Sequence, residues 1–154
     1  GDMTQQELCH ALAKKALAFV AGRLPTMRPR IVCLCGSTRF YQMFQEINLQ
    51  ETIAGHIVLS IGCNMRSDNQ LWAAPADRER IKTDLDRLHL AKIDLADEVF
   101  VLNVGGYIGD STRREIAHAL ACKKSIRWLE PDSADALLRD LRERLGAAAL
   151  RSQQ

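Results

Sequence analysis

No apolar run in these 154 residues approaches the length needed to cross a bilayer, and the start lacks the charged, apolar and small-residue regions of a secretory signal. A cytoplasmic protein with no membrane partner is therefore expected. An excess of one charge is missing too: the formal net charge is +2, with acidic and basic residues interspersed, so no footprint for a nucleic acid polymer is visible. There is no GxxxxGK[ST] phosphate loop, no GxGxxG dinucleotide fingerprint, no internal repeat and no low-complexity tract. Five cysteines fall at 9, 33, 35, 63 and 122, mostly in apolar segments, and no cysteine or histidine pair has zinc-finger spacing. Reduced core thiols are expected, with no metal and no cofactor. Cys33 and Cys35 alternate along an apolar run, and their thiols are expected on opposite faces of a strand.

What is present is the composition of one folded domain, 47% hydrophobic and 26% charged. Gly1 and Asp2 ahead of Met3 read as a cloning remnant, with Met3 the expected natural start. Residues 3–30 divide off as an N-terminal helix and linker: Leu8, Leu12, Ala16, Phe19 and Val20 make a helical stripe over 4–22, closed by a Gly, Pro and Arg stretch to Arg30. Residues 31–150 make an α/β domain. Its strands are Ile31–Cys35, 56–61, 99–104 and 125–129, and its helices are about 39–54, 82–97, 112–123 and 134–145. A polar loop, 62–79, precedes the second of these helices. Alternating strands and helices call for right-handed crossovers and a three-layer, Rossmann-like parallel sheet of four to five strands, order 2-1-3-4. That order places the turns after strands one and three side by side, where such sheets bind ligands.

Two turns and one helix carry candidate chemistry. Gly36, Ser37, Thr38 and Arg39 end the first strand and open a helix, so free N–H groups there can hold a phosphate or carboxylate, although Ser37 or Thr38 can equally be a plain cap. Gly109, Asp110 and Ser111 form the second strand-to-helix turn, with Glu115 further along. Thr112 and Glu115 also have capping-box spacing, which gives Glu115 a purely structural alternative. Arg113 and Arg114 are either solvated charges or anion partners. On the helix 82–97, Asp86, His89 and Ile93 share one face; His89 is either a catalyst or a satisfied core residue paired with Asp86. Asp94 and Asp97 read as local caps or polar ends.

The strings Leu34-Cys35-Gly36-Ser37-Thr38-Arg39, Ala96-Asp97-Glu98-Val99-Phe100-Val101 and the run from Glu115 to Ile126 resemble the nucleoside 2-deoxyribosyltransferase superfamily, including the deoxynucleoside 5'-monophosphate N-glycosidases, over Ile31 to about Leu129. The chain is also similar to a bacterial group of small proteins bearing Ile93-Asp94-Leu95-Ala96-Asp97 with Gly105-Gly106-Tyr107-Ile108-Gly109, a likeness that brings no function. The superfamily resemblance implies a glutamate nucleophile at the sugar anomeric carbon, at Glu115, and a homo-oligomer. Where the family has an aspartate assisting the leaving base, this sequence has His89, with Asp86 one turn away. Ala117 stands where a glycine commonly follows the nucleophile, and Ser111 or Thr112 replaces a glycine in the turn.

The expected ligand is thus a nucleoside or nucleotide, its 5' end on Gly36–Arg39 and Ser111, its base under the 64–79 loop, and its N-glycosidic bond cleaved or transferred at Glu115 with His89 and Asp86 assisting. A non-catalytic nucleotide-binding module on the same turns is the alternative, and a partner-binding protein that assembles through its N-terminal helix is a third reading.

Overall fold

The structure, a computed structural model, describes residues 4–23, 28–62 and 75–152. Four strands, β1 (Ile31–Cys35), β2 (Ile57–Leu59), β3 (Glu98–Val101) and β4 (Ser125–Trp128), form one parallel sheet in the order β2-β1-β3-β4. The strand order is the one that alternation implies, with four strands. Among the described residues, five α-helices surround or precede the sheet: α1 (Gln5–Arg23), α2 (Tyr41–Ile53), α3 (Pro75–Leu95), α4 (Asp110–Ala121) and α5 (Asp135–Arg151).

The layers follow from the two-residue period of β1. Val32 and Leu34 point to one face, where Phe44 and Ile47 of α2 pack with Phe100 and Leu102. Cys33 and Cys35 point to the other, into a cluster with Ile93 of α3, Ile116 and Ala119 of α4, and Leu141 of α5. A strand covered on both faces needs an unbroken apolar run, which is why Ile31–Cys35 does not alternate with polar residues. The two thiols share a face; residues two apart on a strand always do, and the expectation of opposite faces misapplied that period.

Local chemistry sets the ends of the elements. Glu7 accepts from the Thr4 backbone N–H at 2.8 Å while Thr4 Oγ1 accepts from the Glu7 N–H at 3.3 Å, a reciprocal cap that starts α1. Leu8 and Leu12 of the apolar stripe of α1 are exposed. Helix α3 begins at Pro75, earlier than the expected 82, because proline's fixed φ and missing N–H suit the first helical turn. Residues 75–79 of the expected loop are therefore helical, and its remainder from 63 to 74 lies outside the described residues. After β3 the chain turns through Gly105 and Gly106, both at positive φ (61° and 74°), and buried Asn103 ties this turn to the exit of β4. Its side chain donates to Glu130 O and Ser133 Oγ, each at 2.8 Å, and accepts from Glu130 N at 2.9 Å. Asp97 is not a helix cap: it accepts from Ile31 N at 2.8 Å and pairs with Arg28, joining the starts of β1 and β3. Among the described residues no helix is long and apolar enough to cross a membrane.

Candidate active site

The 2-1-3-4 order brings the exits of β1 and β3 together, and a cavity of about 390 Å³ opens there. That is within the usual range for small-molecule sites, roughly 300–1,000 Å³. Its walls include Gly36, Ser37 and Thr38 from the first turn, Gly109, Asp110, Ser111, Thr112 and Glu115 from the second, and Asp86 and His89 from α3. Gly36 sits in close approach. A Cβ there would lie 3.2 Å from both the Cβ and the carbonyl oxygen of Leu102 and 3.3 Å from Phe44 Cζ, so a side chain would need those neighbours to give by a few tenths of an ångström.

Each turn treats its backbone differently. Ser37 Oγ accepts from Arg39 N at 3.3 Å, so Ser37 does cap the short 3-10 turn Thr38–Phe40. Helix α4 begins at Gly109 with no side-chain cap, and its first internal bond runs from Arg113 N to Gly109 O at 2.9 Å. The amides of Asp110, Ser111 and Thr112 are thus the unpaired N–H groups that every helix start leaves, here beside the cavity. Because α4 starts at Asp110, Glu115 lies past its first turn and is not the partner of a Thr112 cap. Capping-box spacing is fulfilled in sequence and not in space.

Glu115 is the unusual group of the site. It is 9% exposed, and its Oε2 finds no hydrogen-bond partner among the described residues. Burial pushes its carboxyl up from 4.5 to about 7, against the pull of the nearby His89 charge. His89 Nε2 stands 3.8 Å from that Oε2, 3.4 Å from Cys35 Sγ and 3.8 Å from Cys33 Sγ. Burial opposes the imidazolium, but the Cys33 contact and the Glu115 charge outweigh it and hold the ring above its ordinary 6.5. The Cys35 thiol is driven up by its complete burial. Cys33, Cys35 and His89 place their donor atoms within 4.8 Å of one another, all three buried, with only His89 of the three reaching the cavity wall.

Other expectations are corrected here. Arg39 is not in the cavity wall: its guanidinium stacks 3.8 Å from the Tyr107 ring centre and donates to the Tyr107 hydroxyl at 3.0 Å. Asp86 does not pair with His89; its Oδ2 is 3.3 Å from Arg114 Nη2, which also donates to Ser111 Oγ at 3.1 Å. Arg113 reaches Asp140 of α5 at 3.7 Å. Two cationic side chains, Lys82 and Lys92, complete the wall together with the apolar Ile61, Leu85 and Leu88. Lys82, Asp86 and His89 recur at helical spacing, so Lys82 could have been found by extending the Asp86–His89 face one turn back. No protein-family model matches the chain, and no curated protein matches it.

Proposed function

We propose that the protein cleaves or transfers the N-glycosidic bond of a nucleoside or nucleoside 5'-monophosphate, with Glu115 as nucleophile and His89 as proton donor. The observation that carries this reading is the Oε2 of Glu115, buried, without a hydrogen-bond partner and set beside an ionisable histidine at the edge of a cavity. A carboxylate left without donors is costly to the fold and reactive toward a carbon that gains positive charge. The uncapped amides at the start of α4 and the Lys82 ammonium suit the 5' phosphate, and Leu85, Leu88 and Ile61 suit the flat base.

Glu115 attacks the anomeric carbon as the carbon–nitrogen bond breaks, and the electron pair leaves with the base, which takes the proton of His89. Water, giving its proton to His89, or a second base then attacks the same carbon and frees the carboxylate. Asp86, held by Arg114, lines the wall beside them. The exposed Leu49 and Ile53, one turn apart on α2, and Ile57 on the edge strand β2 are apolar surface that a second subunit would cover, in keeping with a homo-oligomer. Free thiols at Cys9, Cys33, Cys35 and Cys122 accord with a cytoplasmic, reducing setting.

Ribo- and deoxyribonucleosides and their 5'-monophosphates, incubated with wild type and Glu115→Gln and followed for free base by chromatography, test the reading. Release by wild type and not by the variant supports it. No release from any member, with or without an acceptor base, overturns it in favour of a non-catalytic nucleotide-binding module.

A further inference from the structure

Away from the cavity, α3 and α4 bring together Asp94, His118 and Cys122. His118 Nε2 lies 2.7 Å from Asp94 Oδ1 and 3.7 Å from Cys122 Sγ, and that sulfur is 3.7 Å from the same Oδ1. A Cys-His-Asp relay needs its thiol and its carboxylate on opposite ring nitrogens, so that a proton can pass through the imidazole. Here both face Nε2, and the three donor atoms converge on one another. Convergence is the arrangement a cation requires.

The dimensions agree. Zinc bonds of about 2.3 Å to sulfur and about 2.0–2.1 Å to nitrogen or oxygen place tetrahedral ligand atoms roughly 3.3–3.6 Å apart. Two sides of the triangle match to within a few tenths of an ångström, and the third opens by about half an ångström once the hydrogen bond gives way to two metal bonds. His118 in the last turn of α4 and Cys122, its C-cap, are four residues apart, and Asp94 comes from the end of α3, so packing of the two helices holds the set together. Lys124 donates its ammonium to the carbonyl oxygens of Asp94 and Ala96 at 2.8 and 2.9 Å and so does not compete for the carboxylate. The side chains of His118 and Asp94 are 30% and 56% exposed, which leaves the cluster open to an ion from solvent.

We propose that Asp94, His118 and Cys122 bind a zinc ion, with water as fourth ligand, and that the ion clips α3 to α4. The Cys122 sulfur gives its electron pair to the metal as the thiol proton leaves to solvent. Cys33, Cys35 and His89 are the other donor set, but they belong to the active site, where a metal would occupy His89. His89 precedes Asp94 on α3 and Glu115 precedes His118 on α4, so the clip also steadies the spacing of that pair; this consequence alone rests on the N-glycosidase reading.

Reduced full-length protein, titrated with Zn²⁺ against a chromophoric chelator beside Cys122→Ser, His118→Ala and Cys33→Ser, tests the site. Wild type and Cys33→Ser are expected to hold one equivalent more than the other two variants, and zinc is expected to raise the melting temperature of wild type but not of Cys122→Ser. Circular dichroism of each variant checks that it folds. Equal stoichiometry in wild type and Cys122→Ser, or a loss confined to Cys33→Ser, overturns the proposal. Base release, assayed on zinc-free protein, is read separately, so failure of the metal site leaves the enzymatic reading standing.

Discussion

Two glutamates of nearly equal burial sit on opposite faces of the sheet and are treated in opposite ways. Glu51, 6% exposed on the α2 side, receives both guanidinium nitrogens of Arg127 at 2.8 and 2.9 Å and lies 2.6 Å from His56 Nδ1. Arg127 in turn reaches Glu98, which Arg30 also meets. Those contacts, Arg127 first, hold the Glu51 carboxyl below its usual range. Glu115, 9% exposed on the α3–α4 side, has an oxygen with no donor and is raised to about 7. At Glu51 the Arg127 contact outweighs the cost of burial, whereas at Glu115 burial outweighs the pull of His89 and Cys35. One buried acid is thus paired with Arg127 and His56, while the other keeps an oxygen without a donor, 3.8 Å from His89 and beside the Cys35 thiol, the kind of contrast that marks a candidate reactive group.

Exchanging the character of the two acids gives the largest expected effects. If the N-glycosidase reading holds, Glu115→Gln should lower turnover by about a thousandfold or more while leaving nucleotide affinity within a few fold, since a nucleophile and its proton donor act as a unit; calorimetric binding beside the base-release rate checks both. His89→Ala should cost about 10²–10³-fold in the same assay, and exogenous imidazole should restore part of it. On the other face, Arg127→Ala strips Glu51 and Glu98 of their shared partner. Since Arg127 is 39% exposed, a loss of about 1–2 kcal/mol in urea unfolding is expected, with the rate of base release unchanged.

The pH dependence separates the faces again. A carboxyl raised in the folded state binds more protons folded than unfolded, so the Glu115 contribution falls as pH rises from 4.5 toward 7. His89, raised above 6.5, supports the fold below that value and loses its contribution at higher pH. Glu51 has the opposite sign: its stabilisation is full above 4.5 and is lost on acidification. Unfolding midpoints of Glu115→Gln should therefore vary less than those of wild type between pH 5 and 7, and those of Glu51→Gln should vary less below pH 4.5. On the proposed mechanism the working pair is ionised Glu115 with protonated His89, so kcat/KM should pass through a maximum, falling on the acid side as Glu115 takes up a proton and on the alkaline side as His89 loses one.

The smallest effects belong to the cavity walls. Lys82→Ala should raise KM for a nucleotide several fold with little change in kcat, and Arg39→Ala, whose guanidinium is engaged by Tyr107, should change neither.

These contrasts also mark what could be read in advance. The apolar run Ile31–Cys35, the glycine beyond it and the alternation of periods were sufficient for a parallel sheet with two turns meeting at its edge, because continuous burial and short turns leave few alternatives. His89 was visible as a candidate from helical spacing, and Glu115 from its place in the helix after the second turn together with the family resemblance. Their mutual distance was not, because it depends on how α3 and α4 pack. Arg39 was misplaced because nearness in sequence says nothing about side-chain direction, and an aromatic ring 68 positions later drew it away. The capping-box alternative at Thr112 could not be decided from spacing for a related reason: the helix start is set by where the chain leaves Gly109, not by the pattern.

Carbon-13 NMR titration of the side-chain carboxyls, with Glu115→Gln and Glu51→Gln to assign the resonances, needs no substrate and probes both acids at once. A Glu115 carboxyl titrating near pH 7 beside a Glu51 carboxyl titrating below 4.5 is the expected result. If Glu115 titrates at or below 4.5 like Glu51, it has donors that satisfy it, and the reactive acid on which the N-glycosidase reading stands does not exist.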